Sequence, residues 1–179
     1  MDEKFLLAAS IAAAFGISSS LVQASDGTIT VSGSVNAGTC VIGGAGADQT
    51  VALPSIGTTA LAAVADTAGA TPFSIALTGC GILKSVHAHF EPSDKTNDQG
   101  RLKPKFKLLS GASGIELEIL NGDGSLIKLN EASDAQNSKS VISGVDGSAT
   151  MKYIARYYRS GTLKASNVNA SLQYSVAYD

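Results

Sequence analysis

Two-residue alternation governs this chain. From Ser25 to Cys40, "SDGTITVSGSVNAGTC" places Gly27, Ile29, Val31, Gly33, Val35 and Ala37 on one side and Thr28, Thr30, Ser32, Ser34 and Asn36 on the other. Successive side chains leave a strand in opposite directions, so this period predicts extended backbone with one face built for burial. The pattern returns repeatedly. "TPFSIALTGC" (71–80) aligns Phe73, Ile75 and Leu77, and "SVHAHFE" (85–91) aligns Val86, Ala88 and Phe90. "GIELEIL" (114–120) buries Ile115, Leu117 and Ile119 and turns Glu116 and Glu118 outward. "NGDG" (121–124) predicts a hairpin, since Asn-Gly and Asp-Gly tolerate positive φ, and "SLIKLN" returns with Ile127 and Leu129. "MKYIARYY" (151–158) and "ASLQYSVAY" (170–178) complete the set, the last with Leu172, Tyr174, Val176 and Tyr178 in step. Gly57 to Ala70 reads mainly as loop, with room for a short helical turn. Such strands, joined by glycine-rich turns, predict one all-β domain, an antiparallel sandwich.

The beginning of the chain predicts its destination. Phe5 to Ile17 is an apolar run too short to span a bilayer, and Ser18-Ser19-Ser20 and Val22-Gln23-Ala24 follow it. Val22 and Ala24 fit the small-residue positions of a signal-peptidase site, so residues 1–24 are expected to be a signal peptide. The acidic Asp2 and Glu3 depart from the usual basic start, and a buried amphipathic helix is the alternative. Cleavage after Ala24 leaves 155 of the 179 residues, enough for one domain with a real core. Cys40 and Cys80 are the only cysteines, and export predicts that they pair. Closing a loop of this size stabilises a fold by about 4 kcal/mol in the chain-entropy view. A formal net charge of −2 argues against nucleic acid as a partner, because phosphate binding wants a basic face.

Candidate chemistry is thin. His87, His89 and Glu91 are expected on the outward face of one strand, where His-x-His would make a metal chelate. The chain holds two histidines in all, whereas closed metal sites want four ligands and catalytic ones three plus water. "NGDGSLIKLNEA" (121–132) has Leu126 where a calcium loop needs its glycine. "GGAG" (43–46) and "GASG" (111–114) lack the lysine and strand–helix context of a phosphate cradle. "RLKPKFK" (101–107) reads as the solvated face of an edge strand, where lysines and a proline discourage stray pairing. No catalytic constellation, metal site or cofactor is expected.

Several stretches together resemble the major subunits of bacterial chaperone–usher fimbriae of the type 1 kind. They are the opening alternation, "GATPFSIALTGC", "VHAHFEPSDKTNDQGRL", and the ending "YIARYYRSGTLKASNVNASLQYSVAYD" with its penultimate aromatic Tyr178. The resemblance covers essentially the whole chain after Ala24. It implies an incomplete immunoglobulin-like sandwich, the pilin fold, completed by a donor strand from another subunit. Residues 25–33 would then be the donor, with Ile29 and Val31 as apolar plugs and Gly27 where a side chain would not fit; residues 34–179 would be the pilin domain. The accepting side would include Leu172, Tyr174, Val176 and Tyr178, with Asp179 supplying the terminal carboxylate that a chaperone grips. Implied partners are further copies of the chain, a periplasmic chaperone, an outer-membrane usher and a tip adhesin. Two features depart from the family pattern. Ser166 stands where relatives often carry glycine, and the donor extension is short, so residues 29–35 could serve as donor or as the subunit's own first strand. The implied function is a structural, non-enzymatic subunit of an adhesive surface fibre. A minor or adaptor subunit and a periplasmic metal-binding sandwich are the alternatives.

Overall fold

The computed structural model describes residues 40–43, 46–105 and 114–179. The expected signal peptide, the donor segment with Gly27, Ile29 and Val31, and Phe106 and Lys107 lie outside the described residues. Among the described residues seven strands form: β1 (Val41–Ile42), β2 (Thr67–Thr78), β3 (Ser85–Phe90), β4 (Ile115–Asn121), β5 (Val141–Ile142), β6 (Ala149–Arg159) and β7 (Tyr174–Tyr178). They make two antiparallel sheets, ordered β1-β2-β6-β4 and β5-β3-β7. The expected sandwich is therefore the one observed.

Alternation puts one face of each sheet into a shared core. Ile75 and Leu77 of β2, Met151 and Tyr153 of β6, and Leu117 and Ile119 of β4 meet Val86, Ala88 and Phe90 of β3. Tyr153 sits between aromatic neighbours, with Phe73 at 5.5 Å and Phe90 edge-on at 5.4 Å between ring centroids. Offset and edge-on pairs of this kind stabilise beyond their buried area. Cys40 and Cys80 are joined as a disulfide, with Cα atoms 4.1 Å apart.

Residues 67–70, expected as loop, instead begin β2, and the helical turn is confined to a 3-10 segment at Thr58–Leu61. The register of β2 against β6 shifts between Ala68 and Thr71. Gly69 occupies this bulge at φ +67°, where a Cβ would come within 2.8 Å of the Tyr157 ring. "NGDG" does turn the chain, with Gly124 N–H donating to the Asn121 carbonyl at 2.9 Å. The return is made by isolated contacts, Leu120 opposite Leu126 and Ile127 N–H to Ile119 O, rather than by a continuous strand. Ile127 and Leu129 are nevertheless fully buried.

The outer face of β4 departs most from expectation. Glu118 is 3% exposed rather than outward in water. Its carboxylate accepts from Arg101 Nε at 2.8 Å and from Arg156 Nε and Nη2 at 2.8 and 2.7 Å. Arg156 is its cross-strand neighbour on β6. Arg101 arrives from the segment whose Leu102 bridges Leu117, and its guanidinium stacks 3.7 Å over the Tyr158 ring. Arg101 is thus half-buried in an ion-pair network, not solvated as "RLKPKFK" suggested. Removing one partner from such a network leaves charge uncompensated. Glu118→Ala is expected to lower subunit stability by about 2–3 kcal/mol in denaturant unfolding, and Leu129→Ala by a similar or larger amount.

Candidate assembly site

The two sheets leave two edges beside one seam. β7 pairs with β3 on one side, and among the described residues no strand pairs with its other side. Leu172, Tyr174, Val176 and Tyr178 are half-buried and pack onto the core, while Ser171, Gln173 and Ser175 alternate outward. The regular strand begins only at Tyr174, four residues later than its alternation suggested. In the other sheet β1 pairs with β2 alone, and Ile42, Val51 and Leu53 nearby are likewise half-buried against the core.

Side-chain tips cross this seam. Cys40 N–H donates to the Tyr178 hydroxyl at 2.6 Å, and the Tyr174 hydroxyl donates to Ala47 O at 3.0 Å. Burial pushes the Tyr174 phenol pKa up and the nearby Asp48 charge adds to this, so the ring keeps its donor proton. Cys40 and Ala47 are therefore held beside β7 by two tyrosines four positions apart, with apolar Val176 between them. A strand laid there would find backbone groups on β7 and half-buried aliphatics beneath.

The chain's last residue is clasped. Asp179 accepts from Ser85 Oγ at 2.8 Å and from Ser140 Oγ, and its backbone N–H donates to Ser85 O at 3.2 Å. Those hydroxyl bonds, with the adjacent His87, hold the Asp179 carboxyl below its ordinary range. His87 Nδ1 lies 3.1 Å from Asp179 Oδ1, and His87 Nε2 lies 3.0 Å from Ser133 Oγ. His87 is thus 9% exposed, covered by the 131–140 segment and by the terminus, which corrects the expected outward histidine face. His89 is half-buried, with Nε2 3.7 Å from Glu91. Among the described residues no group of three or more His, Cys, Asp and Glu is arranged to hold a metal ion.

Serine, imidazole and carboxylate in line have the composition of an acyl-transfer triad. Here Asp179 is already committed to two other hydroxyls. A shallow hollow of about 340 Å³ is lined by Pro72, Phe73, Ser74, Gly122, Lys152, Tyr153 and Ile154, and none of the three lines it. The arrangement pins the end of β7 to β3. Gln136 does the same for the other end of β3: fully buried, it accepts from Phe90 N–H at 3.0 Å and donates to Phe90 O at 2.5 Å. Ser133, Gln136 and Ser140 lie in a polar segment without periodicity, so the sequence carried no signal for them.

A group whose folded pKa is depressed stabilises above its unfolded pKa, and that contribution disappears as pH falls through the folded value. Asp179→Asn is expected to melt below wild type at neutral pH. The gap should close below about pH 4 as the wild-type carboxyl takes up its proton; a gap independent of pH would mean that Asp179 acts by shape alone.

Two antiparallel sheets packed face to face, with β7 at a sheet edge among the described residues, define the class as a two-sheet β-sandwich. A solved chain described as part of a chaperone–usher pilus superposes with a TM-score of 0.62 at 16% identity, covering 87% of this chain and 96% of that one. The family described as type-1 fimbrial protein, A, matches residues 53–179, and the chain belongs to that family. It is 36% identical over 168 residues to the F17 fimbrial protein of Escherichia coli, covering 90% of this chain and 92% of that one. It is 34% identical over 162 residues to the major fimbrial subunit SMF-1 of Stenotrophomonas maltophilia, covering 88% and 95%.

Proposed function

We propose that this chain is the repeating, major structural subunit of a cell-surface fimbria and polymerises by donor-strand exchange. The observation that carries the reading is the seam: among the described residues β7 ends its sheet with a half-buried apolar stripe, opposite the edge formed by β1. The close relative described as a major fimbrial subunit supports the repeating role.

In this reading residues 1–24 direct export, 25–33 donate and 34–179 form the accepting domain. Ile29 and Val31 of one copy fill the seam of the next, and Gly27 lies where space is short. Two such aliphatics contribute about 3–6 kcal/mol by transfer from water, beside the main-chain ladder. Leu172, Tyr174, Val176 and Tyr178 receive them. Before assembly the same seam is covered by a strand of a periplasmic chaperone that also holds the terminal carboxylate of Asp179, and an outer-membrane usher exchanges one strand for the other. A tip adhesin begins the fibre, which stands outside the cell. The disulfide between Cys40 and Cys80 keeps β1 in place while the seam is empty.

Deleting residues 25–33 is expected to leave export intact and abolish fibres, read by electron microscopy and by loss of the multimer ladder in unheated gels. Val31→Asp should do the same, because a charge without a partner is not buried cheaply. Wild-type ladders from both variants would overturn the donor assignment. Replacing Cys40 and Cys80 together should reduce recovered subunit.

A further inference from the structure

One end of the sandwich carries apolar side chains turned toward water. Ile82 and Leu83, in the β2–β3 connection, are 62% and 68% exposed. Ile142 of β5 and Val145 just beyond it are 69% and 81% exposed, and Val41 of β1 is 63% exposed. The two connections are stitched together. Ser143, 1% exposed, donates from Oγ to Gly81 O at 2.8 Å and accepts from Lys84 N–H at 2.8 Å. Ser143 N–H also donates to Lys84 O at 2.8 Å, and Cys80 N–H donates to Gly147 O at 2.9 Å. The polar serine is thus inside and the aliphatics outside, the reverse of what water alone favours. Leu83 is held at φ +52°, in the left-handed region that a leucine seldom enters. Clustered exposed aliphatics on a hydrogen-bonded frame mark a contact surface rather than a loose loop.

The position of this end identifies its occupant. Cys40 is bonded to Cys80, so the chain leaves the described domain beside the patch. Residues 34–39 alone separate the donor segment from Cys40, and six residues fully extended reach about 20 Å. The donor segment inside an accepting copy is therefore held within that distance of Cys40, whose partner Cys80 opens the connection that carries Ile82 and Leu83 and bonds through its N–H to Gly147 O, two residues after Val145. We propose that this apolar end packs against the copy that receives the chain's own donor strand, forming a second contact between the same two subunits. The inference rests on the donor reading above. Tethering at this range supplies a high effective concentration, so even a small apolar patch stays engaged.

A photo-reactive residue at position 145, which is exposed in the folded subunit, tests this. Two-copy assemblies are separated by size under native conditions and then irradiated. The unheated ladder reports donor insertion, and a dimer that survives boiling reports contact at position 145. A boiling-resistant dimer that disappears when Val31→Asp is added supports the proposal. A normal ladder without that dimer overturns the packing surface and leaves the donor reading standing. Loss of the ladder from the parent chain overturns the donor reading, and a dimer equally strong in the Val31→Asp background overturns the link to the donor copy. As a second variant, Ile142→Lys with Val145→Lys is expected to keep the ladder and speed dissociation of two-copy assemblies in denaturant roughly tenfold; unchanged dissociation would overturn the proposal.

Discussion

Backbone donors and acceptors must be satisfied on both sides of a strand, and β3 serves only one side of β7. Everything characteristic of this subunit gathers around that imbalance. The apolar stripe Leu172, Tyr174, Val176 and Tyr178 packs on the core yet stays half-buried. Tyr174 and Tyr178 reach across to Ala47 and Cys40 with hydroxyls, where a sheet would place amides and carbonyls. An unpaired edge of this kind invites pairing with another chain. Natural proteins generally blunt such edges, whereas the family to which this chain belongs builds fibres.

Pinned ends keep the seam in shape. Asp179 is held by Ser85 and Ser140 beside His87, and Gln136 bonds both backbone groups of Phe90. β7 therefore presents a fixed surface at both ends of its pairing with β3. The glutamine takes the place of a neighbouring strand for one residue, a small-scale version of completion from outside the sheet.

Legibility in the sequence followed periodicity. Phe73, Ile75 and Leu77, then Val86, Ala88 and Phe90, and Ile115, Leu117 and Ile119 could be assigned to one face each because alternation directly encodes a buried side. Outward positions were harder, since a side chain pointing away from the core still meets whatever crosses over it. Glu118 is covered by Arg101 from a distant segment, and His87 by Ser133 and the terminus. Neither crossing leaves a local pattern. Residues 67–70 joined β2 despite a loop-like composition, because pairing with Tyr157 and Tyr158 outweighs weak propensity. The seam's stripe was readable from alternation, but that no strand pairs with its outer side among the described residues was not, because alternation within one strand carries no record of its neighbours.

The disulfide has a mechanical consequence. In the proposed fibre, tension on one copy enters through residues 34–39 and arrives at Cys40. From there it passes covalently to Cys80, two residues beyond the end of β2, and bypasses the short β1. β2 lies against β6 along the longest ladder among the described residues, from Thr67 opposite Tyr158 to Leu77 opposite Ala149. Load pulling along that ladder must shear many hydrogen bonds at once instead of unzipping them singly. The bond that closes the chain's first loop thus doubles as a coupling that delivers traction to the part of the sandwich best able to resist it.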